Sequence, residues 1–204
     1  MYNIIGLEVK KLNTLFISTY QELIEIGLLR DGKLITKKDQ LSNRNHSIYT
    51  VPLIKEILDE NKMDVKNLNE IIVIDGPGSF TGVRLGITVA KTLAYTLNIP
   101  IKCLSSIEAL AVSSNSQKAI IIVEDPKGKY YGIIDDNEEV NEIKYASNKD
   151  FEELIKTSYE DYQIINNIRL DLEKIYIYAA NIKPTPAHAV KARYVKGIEA
   201  LNGK

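Results

Sequence analysis

The sequence predicts an α/β protein in which one order of elements occurs twice: three antiparallel strands, a helix, a strand and a helix. Apolar segments of strand length alternate along the chain with segments of helical periodicity. Glycine-containing turns join segments that fit antiparallel pairs. The polar loop at residues 113–116 separates the two halves. A chain of 204 residues can build two small cores. We therefore expect a first lobe over residues 1–113 and a second, shorter lobe over residues 114–204.

The first half is predicted from residue 14 onward, because residues 1–12 fit either an extra strand or a loose extension. Asp31-Gly32 marks a hairpin, since both central positions of such a turn need positive φ. Pro52 lies inside a helical pattern, so that helix should begin near Thr50 or be kinked. Ser105-Ser106-Ile107-Glu108 has the spacing of a capping box and opens another helix. The predicted strands are 14–18, 23–29, 33–38, 71–75 and 101–104, with helices over 47–60 and from the turn at 76–82 to residue 98.

The second half repeats this order without a visible sequence repeat. A hairpin around Pro126-Lys127-Gly128 joins strands 119–124 and 129–135, and Asn148 is a plausible cap for the next helix. The remaining predicted elements are a strand at 139–145, a helix at 149–157, a strand at 162–165 and a helix at 170–180; residues 184–204 receive no assignment. Two such βββαβα units in tandem are typical of the duplicated actin-like (ribonuclease-H-like) fold. A single mixed α/β sheet is the alternative.

Composition narrows the function classes. The net charge of −1, from 26 basic and 27 acidic residues, provides no global field that favours nucleic acid. The single cysteine, Cys103, excludes an intrachain disulfide and fits a reducing cytoplasm, and its apolar setting favours a buried small side chain over a nucleophile. No apolar run approaches the about 20 residues that span a membrane, so we predict a cytoplasmic protein without a membrane partner.

The helix after residue 82 is unusually apolar. A row of small residues lies beside a row of leucine and valine, and together they cover roughly 200° of the circumference, about twice the stripe of a one-sided helix. The small row and its extension are Gly82, Gly86, Ala90, Ala94, Val83 and Ile87. We expect such a helix to pack on its own sheet and also on a partner, with the small row allowing close approach of another backbone.

The glycine-rich turn before this helix matches neither common phosphate loop. A Walker loop needs a lysine after its last glycine, where Val83 stands, and a dinucleotide loop needs a third glycine at Thr81. We favour a tight turn with Ser79 or Thr81 as the helix N-cap. An anion site at Gly76, Gly78, Ser79 and Thr81 is the weaker alternative.

Few other side chains indicate chemistry. Asp75 ends a buried strand, where α/β proteins often place functional groups, and its alternative role is to accept hydrogen bonds from the turn. Arg84 could bind a carboxylate or lie in solvent. His46 and His188 are far apart in sequence, and neither has another ligand at metal-binding spacing. We predict no catalytic residue and no metal site.

One motif run resembles a known family, the TsaB (YeaZ) family of bacterial tRNA threonylcarbamoyladenosine (t6A) biosynthesis proteins. The similarity extends from residue 14 to about 113 and continues in the second half only as a pattern, from Glu124-Asp125 to Tyr131 and at 192–196. The motif consists of Gly76-Pro77-Gly78-Ser79-Phe80-Thr81-Gly82-Val83-Arg84-Leu85-Gly86, Ala90-Lys91, Asn98-Ile99-Pro100 and Ser105-Ser106-Ile107-Glu108-Ala109-Leu110.

The resemblance implies a non-catalytic subunit that binds the paralogous transferase acting on adenosine 37 of tRNA. It implies no cofactor: the transferase's paired histidines correspond to Ser106 and Leu110, and the Asp-x-Gly phosphate loop of actin-like ATPases corresponds to Ser18-Thr19-Tyr20. Implied partners are the transferase in a heterodimer, the small ATPase of the pathway, and a second copy when the chain is alone, with tRNA reached only through the complex. The implied interface residues are His46, Ile48, Gly82, Val83, Arg84, Gly86, Ile87, Ala90 and Ala94.

Two other functions compete with this one. A nucleotide-dependent actin-like enzyme, either a small-molecule kinase or an ATPase, is suggested by the strand–glycine–helix unit and by Asp75. A metalloprotease conflicts with the absence of paired histidines in the sequence. Replacing Gly86 or Ala90 by a bulky residue should separate the interpretations, since it would block a partner if the small row is free and unfold the chain if the row is core.

Overall fold

The fold was taken from a computed structural model that describes residues 11–195 apart from 136–139 and 141. Nine strands and five α-helices alternate along these residues. The strands are β1 (Asn13–Ser18), β2 (Leu23–Arg30), β3 (Lys33–Leu41), β4 (Glu70–Ile74), β5 (Ile101–Leu104), β6 (Ala119–Asp125), β7 (Gly128–Ile134), β8 (Lys144–Ser147) and β9 (Gln163–Ile165). The helices are α1 (His46–Glu60), α2 (Phe80–Leu97), α3 (Ser106–Ser114), α4 (Asn148–Ser158) and α5 (Leu172–Ala179).

The first sheet has five strands in the order β3-β2-β1-β4-β5. β1 pairs antiparallel with β2 and parallel with β4, so the chain must cross over between them, and α1 makes that crossover. α1 and α2 cover one face of this sheet. α5 packs on β2 and β3, where Leu172 lies against Gly27, on the opposite face of the sheet.

The second sheet repeats the arrangement in the order β8-β7-β6-β9, with β6 parallel to β9. α3 packs on β6 and β7, and α4 covers β7 and β8 around Phe151. α3 also contacts α5, so these two helices lie between the sheets and contribute to one continuous apolar core. The predicted α/β, actin-like, duplicated fold is confirmed, and the alternative of a single mixed sheet is wrong. The lobe boundary at residues 113 and 114 stays a prediction.

Local chemistry explains most element boundaries. Ser105 accepts a hydrogen bond from the Glu108 backbone while the Glu108 carboxylate accepts one from the Ser105 backbone, as the capping box predicts. Asp31 and Gly32 both have positive φ in the β2–β3 turn. The predicted cap of α4 is wrong: Ser147 caps the helix and Asn148 is its first residue. The strand predicted at 139–145 is observed as Lys144–Ser147, and residues 139 and 141 lie outside the described residues.

Helix α1 begins at His46, so of the two alternatives for Pro52 the start near Thr50 is wrong, and the kink stays a prediction. Pro52 lies inside the helix on its exposed side. Its ring removes the backbone donor that would bond to the Ile48 carbonyl in the second turn of the helix. The Thr50 hydroxyl donates to the His46 carbonyl one turn earlier. Among the described residues, no helix is long and apolar enough to cross a bilayer. Predictions that concern residues 1–10 and 196–204 lie outside the described residues.

Candidate functional site

The glycine-rich turn packs against the loop that follows β1. The Ser79 backbone donates to the Tyr20 carbonyl at 2.7 Å, and a Cβ at Gly78 would lie 2.2 Å from that oxygen. Ser79 is the N-cap of α2, since its hydroxyl accepts from the Gly82 backbone, whereas Thr81 is exposed inside the first turn. Close approach of backbone carbonyls explains why glycine is needed here. Carbonyl oxygens facing the turn do not attract an anion, so the geometry favours a packing turn over a phosphate site.

The small row of α2 lies in the chain's own core. A Cβ at Gly82 would lie 2.1 Å from the Thr19 carbonyl oxygen, and one at Gly86 would lie 2.3 Å from the Thr19 hydroxyl. That hydroxyl donates to the Gly82 carbonyl at 2.7 Å. The expectation that these residues face a partner is therefore wrong, because they are buried and Thr19, in the loop after β1, already fills the space beside the two glycines. The buried members are Gly82, Val83, Gly86, Ile87, Ala90 and Ala94.

Of the three other predicted interface residues, Ile48 and Arg84 are accessible and His46 is not. His46 is buried, and its Nε2 lies 2.8 Å from the Gln21 carbonyl oxygen, so this nitrogen donates. Ile48 is 60% exposed and Val51 is 54% exposed one turn later on the same face of α1. Arg84 is exposed on α2. We call the exposed residues Ile48, Val51 and Pro52 the α1 patch.

The Asp75 carboxylate accepts hydrogen bonds from an arginine, whereas its predicted alternative role was to accept them from the glycine-rich turn. The guanidinium of Arg193 donates from Nε and Nη2 to the two Asp75 carboxylate oxygens, at 3.1 and 3.3 Å. Burial raises the pKa of Asp75 above its ordinary value, and the arginine lowers it part of the way back. Burial and the nearby Asp75 charge also raise the pKa of the Cys103 thiol to about 11. The thiol is therefore protonated near neutral pH, in keeping with a packing role.

A segment near the C-terminal end of the chain runs antiparallel to α2, and we call residues 184–195 the strap. Thr185 bonds to Ile101 of β5 near the end of α2, and Lys91 in the helix donates to the Val190 carbonyl at 3.1 Å. The Arg193 backbone then donates to the Asp75 carbonyl. Sequence reasoning left this segment unassigned because it has no helical or strand periodicity. The only signal was the family-like Ala192-Arg193-Tyr194-Val195.

The strap ends in an exposed aromatic and arginine cluster at the N-terminal end of α2. The Arg84 guanidinium carbon lies 3.7 Å from the Phe80 ring centroid, and Arg84 Nε donates to the Tyr194 hydroxyl at 2.7 Å. Phe80 is 60% exposed and Tyr194 is 53% exposed. Arg84 is therefore solvent-exposed, as one of its two predicted roles requires, and it also stacks on a ring and binds a hydroxyl, while its binding of a carboxylate stays a prediction.

A cleft of about 910 Å³ separates the two sheets near this cluster. It is lined from the first half by Tyr20, Glu22 and Phe80 and from the second half by Glu124 and Asp125, among others. The carboxylates lie on the loop after β1 and at the end of β6, at the two sides of the cleft. Arg193 and Gly78 also line the cleft, but Arg193 is paired with Asp75 and the Tyr20 carbonyl lies against Gly78, so neither residue favours a nucleotide phosphate.

Positions that bear ligands in related folds have packing roles here. The Ser106 hydroxyl is buried and donates to the Pro77 carbonyl at 2.6 Å, and Leu110 is buried. Ser18 and Glu25 are opposite each other on β1 and β2, buried beside Tyr20. His188 lies exposed on the strap. Within the residues that the structure describes, no three His, Cys, Asp or Glu side chains converge on a point that could hold a metal.

Comparison with known proteins gives consistent results for sequence and fold. A family model described as "TsaD: tRNA N6-adenosine threonylcarbamoyltransferase" matches residues 38–131. The chain is 38% identical over 119 residues to "tRNA threonylcarbamoyladenosine biosynthesis protein TsaB" of Bacillus subtilis, a match that covers 57% of this chain and 52% of that protein. The chain thus matches about half the length of this relative.

Two solved structures share the fold. A Pseudomonas aeruginosa protein described as similar to peptidase YEAZ aligns with a TM-score of 0.77 and 17% identity, covering 91% of this chain and 100% of the other. The structure titled "YeaZ from Pseudomonas aeruginosa" aligns with a TM-score of 0.74 and 17% identity, covering 90% and 99%. The resemblance inferred from the glycine-rich motif is confirmed.

Proposed function

The comparisons support the identification of the chain as a member of the TsaB (YeaZ) family, and from that premise we propose that it is a non-catalytic subunit of t6A modification of tRNA. In this proposal it binds the paralogous transferase and activates it in the cytoplasm, and the small ATPase of the pathway joins the complex. The name of the Bacillus subtilis relative, a tRNA threonylcarbamoyladenosine biosynthesis protein, supports the pathway. The match to the transferase family over residues 38–131 supports a partner with the same α1–α2 unit.

The α1 patch carries the proposal of a partner surface. Ile48 and Val51 expose more than half of their area although α1 buries its opposite face on the first sheet. A groove beside Val51 and Pro52 has an almost wholly apolar surface and is bordered by Lys55, Glu56 and Asp59. An apolar centre with a charged rim is the usual anatomy of a protein interface. The half-buried Leu85 and Val89 on α2 extend this surface.

The non-catalytic part of the proposal rests on what occupies the usual reactive positions. The Tyr20 carbonyl closes the space beside Gly78, and Arg193 occupies the carboxylate of Asp75.

The actin-like kinase or ATPase alternative rests on the cleft between the sheets. Saturation with ATP and Mg²⁺ at 100 times a dissociation constant would add about 2.7 kcal/mol to the free energy of unfolding. We expect no such shift in a thermal melt, and a shift of this size would establish the enzyme alternative.

Aspartate at the centre of the α1 patch should disrupt the complex with the transferase. We expect Ile48→Asp and Val51→Asp each to weaken binding by about 30-fold, the effect of losing an interface hot spot of about 2 kcal/mol. Binding is measured by calorimetry, and complex size by light scattering after size exclusion. Ile177→Asp is the matched control, since Ile177 is 68% exposed on α5.

Three outcomes separate the readings of that experiment. Loss of binding in both α1 variants with the control unchanged supports the proposed surface. Equal binding by all variants moves the interface elsewhere and contradicts the α1 patch. If the parent chain forms no complex with the transferase at any concentration tested, the subunit proposal itself is wrong. If the parent chain then forms a homodimer that the α1 variants dissociate, the α1 patch serves self-association.

A further inference from the structure

The surface formed by α2 and the strap differs in charge from the rest of the chain. The chain as a whole is nearly neutral, with 26 basic and 27 acidic residues. Neither α2 nor residues 183–195 contains an aspartate or a glutamate. The same two segments contribute five cationic residues, Arg84, Lys91, Lys183, Lys191 and Arg193, as well as His188.

The strap runs beside α2 over the length of the helix, so the two segments form one continuous surface. A shallow groove lined by Tyr95, Pro184 and His188 joins them at the C-terminal end of α2. Lys91 joins them in the middle through the Val190 carbonyl. Arg84 and Tyr194 join them at the N-terminal end. Since a helix rises about 1.5 Å per residue, the surface is about 22 Å long.

Exposed aromatic rings lie at both ends of this surface. Tyr95 is 79% exposed, and Phe80 and Tyr194 are exposed by more than half. The Phe80 and Tyr194 ring centroids are 6.2 Å apart, with the Arg84 guanidinium stacked on Phe80. Arg84 is thus held in place before any ligand arrives. Rings and guanidinium planes that alternate with cations are the surface chemistry that single-stranded nucleic acid uses.

Acidic groups border the aromatic end of this surface, since Glu22, Glu124 and Asp125 line the cleft that Phe80 and Tyr194 also line. Asp75 is buried and paired with Arg193, so that arginine adds little to the field. Glu108 and Glu142 line a second cavity together with Arg193 and Tyr194. Lys191 is exposed on the strap. The α1 patch lies beyond the other side of α2, where Gly82 contacts His46 of α1.

We propose that the α2–strap surface binds single-stranded RNA directly, with an unstacked base on the Phe80–Arg84–Tyr194 cluster. This inference rests on the proposed function, which brings the chain to the anticodon loop of tRNA. It departs from the expectation that this chain reaches tRNA only through its partner. The phosphates would lie along Arg84, Lys91 and Lys191, while the base stacks on the exposed ring faces.

The test measures fluorescence anisotropy of a labelled anticodon stem-loop with unmodified adenosine 37, titrated with the chain alone and with its transferase complex. A fully paired hairpin of the same length is the RNA control. We expect Phe80→Ala and Tyr194→Ala each to weaken stem-loop binding by about fivefold or more, the loss of one stacked base. Tyr194→Phe should retain most of the affinity, since it keeps the ring.

The charge contribution is tested by salt dependence. Lys191→Gln should reduce the slope of log affinity against log salt by about 0.7, as for one phosphate contact on a single strand. Phe80→Ala should leave the slope unchanged. Lys149→Gln on α4 is the matched control, because Lys149 is exposed at the start of that helix, and we expect it to change neither quantity.

Each outcome decides the proposal. Weaker binding by the ring variants with normal transferase binding supports it. Equal RNA binding by parent and variants, or equal affinity for the loop and the paired hairpin, overturns it. If the ring variants lose the transferase and keep the RNA, the surface belongs to the protein partner and the RNA proposal is wrong. A parent chain that binds the stem-loop alone but no transferase keeps the RNA inference and rejects the subunit function.

Discussion

Replacing Gly82 by alanine is expected to lower the free energy of unfolding by about 3 kcal/mol, the upper end of the cost of overpacking a core. The added Cβ would lie 2.1 Å from the Thr19 carbonyl oxygen. Thr19 is buried, and its carbonyl is backbone that follows β1, so it cannot rotate away as a side chain could. Alanine normally favours a helix over glycine by about 1 kcal/mol, and the clash should outweigh this gain. Urea unfolding followed by circular dichroism measures the difference.

A second glycine provides an internal control for that mechanism. A Cβ at Gly86 would meet the Thr19 side-chain hydroxyl at 2.3 Å instead of its backbone. Thr19→Ala should therefore partly restore stability to Gly86→Ala but not to Gly82→Ala, in a double-mutant cycle. Thr88→Ala on the exposed side of α2 should stay within about 0.5 kcal/mol of the parent. An unchanged midpoint for Gly82→Ala would contradict the packing of α2 on β1 and return the small row to the partner surface.

Helix α2 illustrates what the sequence could predict and what it could not. Its periodicity predicted the helix, and the glycine and alanine spacing predicted a row that a backbone approaches closely. Nothing in that spacing distinguishes the chain's own backbone from a partner's, because both offer the same steric surface. The structure places Thr19 against the row. Accessible apolar residues lie instead on α1, where Ile48 was among the predicted interface residues and Val51 was not.

Signals that act over a few residues were predicted better than contacts between distant ones. The Ser105 capping box and the Asp31-Gly32 turn depend only on neighbouring backbone, so the pattern suffices. Arg193 and Asp75 are separated by 118 positions. Their pairing follows from the path of the strap along α2, which no periodicity encodes. The aromatic cluster joins Arg84 to Tyr194 in the same way and was missed for the same reason.

Replacing Arg193 by glutamine should destabilise the chain by about 2 kcal/mol near neutral pH. Removing one partner of a buried ion pair costs about 3–5 kcal/mol because the other charge stays buried. The Asp75 side chain is only 9% exposed, but the Arg193 side chain is 40% exposed, so water screens the pair and we reduce the expected cost. Arg169→Gln is the matched control, since Arg169 is exposed. Denaturant unfolding of both variants gives the comparison.

The loss of stability in Arg193→Gln should grow as the pH rises. Burial raises the pKa of Asp75 above its ordinary value of 3.8 in the folded chain, and Arg193 opposes that rise. A carboxyl with a raised pKa contributes stability below the unfolded value and loses it as pH rises through the folded value. Without the arginine the pKa of Asp75 rises further. The deficit of Arg193→Gln relative to the parent should therefore grow between about pH 4 and pH 7.

A neutral pair at the same positions tests the charge explanation against a packing explanation. Asp75→Asn combined with Arg193→Gln leaves no buried charge, so the double variant should be more stable near neutral pH than Arg193→Gln alone and should show no pH-dependent deficit in that window. If the double variant is as unstable as the single one at every pH, the strap stabilises the first sheet through the Arg193 backbone bond to Asp75 and its packing on α2. The ion pair would then contribute nothing measurable, and the raised pKa of Asp75 would reflect burial alone.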